Sequence, residues 1–136
     1  MKNIKNVAFI CVHNSCRSQM AEAIAHKKGK NIFNAFSAGT QVKNKINPDA
    51  VRIMSNLGYQ DIIEKQYPKL LKDLPSIDIV IIMGCNVACP MIKCDYREDW
   101  GLDDPTGKSD EEFLKIIEQI NFKMDKLIAK IKNNEI

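Results

Sequence analysis

Five cysteines, at positions 11, 16, 85, 89 and 94, are the residues of this chain whose type and spacing most plainly could do chemistry. They fall into two clusters half a chain apart, which suggests two parts of one site. In the first, Cys11-Val12-His13-Asn14-Ser15-Cys16-Arg17 separates a cysteine from an arginine by five residues. An apolar, β-rich run (7–12) precedes it and an Ala-rich stretch with helical spacing follows. Such a junction favours an oxyanion. A helix N-terminus offers unpaired N–H groups and a positive dipole end. A short loop can turn its amides inward as a nest, and Arg17 can clamp a tetrahedral oxyanion with two hydrogen bonds. The same surroundings favour the thiolate of Cys11, placed for in-line attack on the central atom. The expected binding residues are Val12, His13, Asn14, Ser15, Cys16, Arg17 and Ser18. Asn14 suits a left-handed backbone position, and Ser18 could hydrogen-bond the Cys11 sulfur. Cys16 reads as a packing residue, His13 as a solvent-facing loop residue and His26 as helix surface.

The second cluster is Cys85-Asn86-Val87-Ala88-Cys89-Pro90, with Cys94 beyond it. An odd number of cysteines argues against a disulfide framework. A zinc site from Cys85, Cys89 and Cys94 lacks a nearby fourth ligand. Gly107-Lys108-Ser109 is similar to the end of a nucleotide-binding loop, but Leu102 stands where that motif needs its first glycine.

The elements that must position these residues are strands alternating with helices. Residues 7–12, 32–38 and 77–83 read as strands, the last of them the strongest. The helix after the first strand stops at Gly29. Asn47 caps a second helix with Pro48 at its first position, ended by Gly58. Residues 67–74 read as a short helix, and 84–108 as loops or short elements. Ser109 opens a long final helix whose apolar residues, from Phe113 to Ile131, recur at steps of three and four. Alternation of this kind predicts an α/β domain with a mostly parallel sheet.

Composition sets the class. The chain has 136 residues, 45% hydrophobic and 27% charged, with a net charge of +3. That fits one domain, residues 1–136, with an ordinary core. No concentrated basic patch points to nucleic acid, no run is apolar enough to span a membrane, and no signal peptide is read. A cytoplasmic monomer is the expectation.

Cys-x5-Arg-Ser directly after the first strand resembles the low-molecular-weight protein tyrosine phosphatase fold. The fuller string Asn14-Ser15-Cys16-Arg17-Ser18-Gln19-Met20-Ala21-Glu22 is similar to the thioredoxin-coupled arsenate reductases that share this fold. The likeness extends through Ser37-Ala38-Gly39, Asn47-Pro48 and Trp100-Gly101-Leu102-Asp103-Asp104-Pro105. It implies a four-stranded parallel twisted sheet flanked by helices. It implies that Asp104, with Asp103 the adjacent alternative, sits over the anion loop as general acid or, ionised, as base. A bound anion would raise its pKa.

The resemblance also implies a thiol relay. Cys11 attacks arsenate, Cys85 attacks Cys11 with release of arsenite, and Cys89 attacks Cys85, leaving a disulfide for thioredoxin or a glutaredoxin-like donor. Cys94 is a substitute for either relay thiol, since only three residues separate Cys85 from Cys89. If 85–89 were helical, the two Cβ atoms would lie about 5–6 Å apart, against the roughly 3.5–4.5 Å a disulfide needs. The segment should therefore distort on oxidation and be more mobile than the rest. Phosphatase action on phosphotyrosine or a small phosphoester is the alternative, although Thr106-Gly107 stands where such enzymes carry aromatic residues. A non-enzymatic oxyanion-binding or redox-sensing module is the third class. No cofactor is required; for a potassium ion beside the anion loop, Asn14, Glu22 and Ser37 match part of the implied site, while residues 64–67 supply no clear remaining ligand.

Overall fold

The computed structural model of the chain describes residues 4–84 and 92–136. Its centre is β1 (Lys5–Cys11), whose residues from Val7 onward are all buried because both of its faces are covered. The chain continues through α1 (Arg17–Lys28), β2 (Phe33–Gly39), α2 (Pro48–Asn56), the one-turn α3 (Asp61–Glu64) and a 3-10 turn at Leu71–Asp73. It then forms β3 (Ile79–Ile82), β4 (Tyr96–Asp99) and the long α4 (Asp110–Lys132). The strands make one parallel sheet in the order β2-β1-β3-β4.

The side-chain alternation of β1 divides the core in two. Val7, Phe9 and Cys11 join Ile79, Ile81 and Met83 under α1, α2 and α4. Ala8 and Ile10 join Val80 and Ile82 on the other face, beneath Leu71, Leu74, Ile92 and Cys94. The helical layer supplies the larger payload, with Met20, Ile24, Met54, Phe113, Ile120 and Met124 fully buried. Each such side chain contributes about 1.5–3 kcal/mol.

The fourth strand lies inside 84–108, read from sequence as loops or short elements. Tyr-Arg-Glu-Asp carries no apolar run because β4 is an edge strand whose residues alternate between half-buried and exposed. The predicted 67–74 helix is reduced to the 3-10 turn, and α3 was not anticipated. The expected motion and distortion of the relay segment fall largely on residues 85–91, outside the described residues.

Sheet order places the site. From β1 the chain steps to one side for β2, then returns to the other for β3 and β4. Loops leaving the carboxyl ends of β1 and β3 therefore diverge and open a crevice, where ligands of open α/β sheets bind. Cys11 ends β1 and Gly84 follows β3 at that crevice.

Candidate active site

Residues 12–16 turn their carbonyls away from the crevice, and the fold takes up every one. Val12 O accepts from Thr40 N and Gln41 N (3.0 and 2.9 Å), and His13 O from Lys43 N (3.3 Å). Asn14 O accepts from Gln19 Nε2 (3.0 Å), Ser15 O from Asn47 N (2.7 Å) and Cys16 O from Met20 N (2.9 Å). A peptide unit holds its N–H opposite its C=O, so the loop presents its donors to its own interior. Asn14 makes the reversal at φ 50°, the left-handed conformation expected of it. Gly39 closes the far side: a Cβ there would stand 2.5 Å from Val12 O.

Cys11 is buried, with Sγ 2.9 Å from Ser18 Oγ. The direction of that bond follows from its neighbours. Asn14 Nδ2 donates to Ser18 Oγ at 2.8 Å, while Asn14 Oδ1 accepts from Lys69 N (2.9 Å) and Gln19 Nε2 (3.0 Å). Ser18 is thus left free to donate its hydroxyl proton to the sulfur.

Arg17 extends toward β3. Its Nη1 donates to Met83 O (2.8 Å), Gly84 O (3.3 Å) and Leu102 O (2.7 Å). It pins the end of β3 to the loop carrying Asp104, with the other nitrogens left for an oxyanion. That joint needs glycine at 84, where φ is +89° and a Cβ would meet Leu102 O at 2.5 Å. Val12, Arg17, Gly84, Asp99, Leu102, Asp103 and Asp104 line the cleft.

Asp104 Oδ1 accepts from Thr106 N (3.0 Å) and Thr106 Oγ1 (2.7 Å). Desolvation pushes its pKa up, but the Thr106 hydrogen bonds and the charges of Arg17 and Lys43 outweigh that, and the carboxyl titrates below its ordinary value. With no anion in the cleft, the carboxylate form is therefore the ground state. Burial, with help from the Asp104 charge, pushes the Cys16 thiol up to about 12. Cys16 stays protonated, as a packing residue should.

Other expectations meet the structure unevenly. His13 is half-buried and its Nδ1 lies 2.8 Å from Gln41 O, so it braces the 40s loop. His26, read as helix surface, is partly buried between Glu22 Oε2 (3.2 Å) and Asp61 Oδ2 (3.3 Å). Cys85 and Cys89 lie outside the described residues. Cys94, weighed as a substitute relay thiol, sits level with Ile77, six residues before the level of Cys11. At about 3.3 Å per residue the two are roughly 20 Å apart, so Cys94 does not reach Cys11. Among the described residues no group of three His, Cys, Asp or Glu could hold a metal ion, and no helix is long and apolar enough to cross a membrane.

Sequence reading gave no role to Gln19, Lys43 or Lys69. Gln19 is fully buried and spans Asn14, Tyr67 O and Gln66. Its signal was a long polar side chain in the first turn of a helix with no solvent face. Lys43 and Lys69 come from loops, where no periodicity marks them.

The potassium ligands implied by resemblance can be tested by donor chemistry. Both acceptor positions of Asn14 Oδ1 are taken. Ser37 Oγ donates to Glu22 Oε1, and the Lys69 ammonium stands 3.6 Å from that same oxygen. The Lys69 ammonium already stands where a potassium ion would meet Glu22, so with Lys69 in place the residues do not fit a potassium ion.

A comparison with known proteins agrees with this geometry. The family described as low molecular weight phosphotyrosine protein phosphatase matches residues 6–136. An arsenate reductase of Brevibacillus brevis is 38% identical over 130 residues, covering 93% of this chain and 96% of the relative. A glutaredoxin arsenate reductase of a Synechocystis species is 34% identical over 131 residues, covering 94% and 99%. A solved structure described as an arsenate reductase in the phosphate binding state superposes with a TM-score of 0.84 at 35% identity, covering 94% of this chain and 99% of that one.

Proposed function

The chain belongs to the low molecular weight phosphotyrosine protein phosphatase family, and from that premise we propose that it is an arsenate reductase working through a cysteine relay. The observation that carries the reading is the reach of Arg17. The guanidinium beside the anion loop also holds Gly84 O, and the next residue is Cys85. The clamp thus holds the residue that precedes the cysteine-bearing segment in sequence, and phosphate hydrolysis needs no thiols there.

Cys11 attacks arsenic as a thiolate, steadied by the Ser18 hydroxyl, and a protonated oxygen leaves as water. Arg17 and the loop amides hold the remaining oxygens. Asp104 begins as a carboxylate, so it first accepts a proton from the incoming acid or thiol and then returns it to the leaving oxygen. Cys85 next attacks the Cys11 sulfur. A Cys11–Cys85 disulfide forms, the S–As electron pair goes to arsenic, and arsenite leaves. Cys89 attacks Cys85, which frees Cys11 as a thiolate and leaves a Cys85–Cys89 disulfide. A thioredoxin dithiol then supplies two electrons and two protons to restore both thiols.

No resident cofactor enters the scheme. Its thiols need a reducing compartment, and we take the enzyme to act in the cytoplasm, as a monomer.

The test follows NADPH consumption with arsenate, thioredoxin and thioredoxin reductase for the wild type and Cys89→Ser. Steady turnover in the wild type with at most one turnover in the variant is the expected result. Turnover only with glutaredoxin and glutathione changes the donor alone. No reduction with either donor, together with phosphoester hydrolysis, replaces the reading with a phosphatase.

A further inference from the structure

Glu22 poses an electrostatic problem that the reaction does not explain. Its side chain is 7% exposed and lies on α1 behind the anion loop. A carboxylate there opposes both the thiolate and the incoming oxyanion unless a positive charge cancels it. His26 meets its outer oxygen, Oε2. The inner oxygen, Oε1, accepts the Ser37 hydroxyl and faces the Lys69 ammonium at 3.6 Å.

Lys69 is held there from several sides. Its side chain is 12% exposed. Its Nζ donates to Tyr67 O at 3.2 Å and lies 4.8 Å from the centre of the Tyr67 ring. Its own carbonyl accepts from Gly39 N, at the end of β2, at 2.9 Å. Its N–H donates to Asn14 Oδ1, which sets the Asn14–Ser18–Cys11 chain of hydrogen bonds.

We infer that Lys69 is the built-in cation of the anion loop: its ammonium, fixed beside Glu22 and tied to Asn14, does the work a bound potassium ion would do and makes the loop indifferent to potassium. A potassium ion on Glu22 Oε1 would touch the ammonium and repel it. A tethered ammonium also needs no ion from solution, so the cradle is charge-balanced at any salt composition. Lys69 is a positioning residue, acting on the oxyanion through Glu22 and Asn14.

The inference rests on the anion-loop reading, and the experiment separates the two. Phosphate binding to the reduced full chain is measured by calorimetry in potassium chloride and in tetramethylammonium chloride at equal ionic strength. The wild type should bind equally in both. Lys69→Met, which keeps the stem and removes the charge, should bind about tenfold more weakly in tetramethylammonium, the scale of one nearby unit charge. Potassium should restore that affinity and raise the melting temperature of Lys69→Met, but not of the wild type. Lys69→Arg should keep the indifference. A purely packing role for Lys69 would show no potassium rescue and would overturn the inference. So would a wild type whose phosphate affinity depends on potassium, a result that stands even if Lys69→Met fails to fold. A wild type that binds no phosphate in either salt overturns the anion-loop reading and this inference with it.

Discussion

The N-terminus of α1 and that of α4 face the same backbone problem, four amides without helical partners, and solve it in opposite ways. Ser109 Oγ accepts from Glu112 N at 3.4 Å, and Asp110, Glu111 and Glu112 fill the first turn of α4. At α2, Asn47 Oδ1 takes Asp49 N and Ala50 N at 2.8 and 3.2 Å. At α2, where Pro48 has no N–H, this leaves no amide over, and at α4 the acidic first turn cancels the positive potential. At α1 the cap position holds Cys16, which makes no side-chain cap bond, and the first turn holds no acidic residue. Its donors and its dipole stay available, Arg17 adds a full charge, and the cost falls on local stability. A protein saturates the helix ends it uses for folding and leaves bare the one it uses for binding.

The comparison would break most visibly at the sulfur. Cys11→Ser should lower arsenate turnover by about 10³-fold or more, as expected for loss of a covalent nucleophile. Its melting temperature should stay near that of the wild type, because the hydroxyl keeps the Ser18 contact. A variant that retains a tenth of the turnover would remove the thiolate from the scheme. Asp104→Asn comes next, with a loss of about 10²–10⁴ in kcat. The carboxyl titrates below its ordinary value of 3.8. Its charge therefore favours the folded state above that ordinary value, and the contribution is lost as the pH falls through the lower folded value. The acid limb of kcat/KM that belongs to Asp104 should accordingly lie below about pH 4. A limb near pH 6 that disappears in Asp104→Asn would show that the free site holds the acid form.

Those two residues were legible in the sequence for different reasons. Cys11 stood out because a buried strand must end where its apolar run ends, and a cysteine with an arginine six residues later is then aimed at a helix start. Asp104 needed the resemblance, since Asp-Pro alone describes any turn. The three apolar strands and α4 announced themselves by periodicity. The strand β4 did not, because an edge strand of Tyr, Arg, Glu and Asp carries no burial signal. The charge that balances Glu22 was out of reach altogether: Lys69 is 47 residues away in a loop, brought in by its backbone contacts with Gly39 and the Asn14 side chain. Long-range polar pairing leaves no local pattern to read.

Ser109→Ala sharpens the comparison from the other end. It should cost about 1 kcal/mol of stability, a few degrees in melting temperature for a domain of this size. Arsenate turnover should not change. A loss of turnover beyond twofold would mean that the α4 end, behind the Asp104 loop, contributes to the site.

The smallest effect is expected at Cys16, the cap position itself. Its thiol is pushed up to about 12 by burial and by the Asp104 charge. It makes no cap bond to the helix amides, and serine fits the same volume. Cys16→Ser should leave kcat and the phosphate affinity within about twofold of the wild type, as an isosteric change at an uninvolved group does. In the wild type, iodoacetamide at pH 7 should modify Cys11 and spare Cys16, read by peptide mass. If Cys16→Ser instead weakens phosphate binding about tenfold while raising the melting temperature, the new hydroxyl has capped α1. The amides it took would then be the ones the anion needs, which would locate the ligand's donors at the second and third residues of the helix.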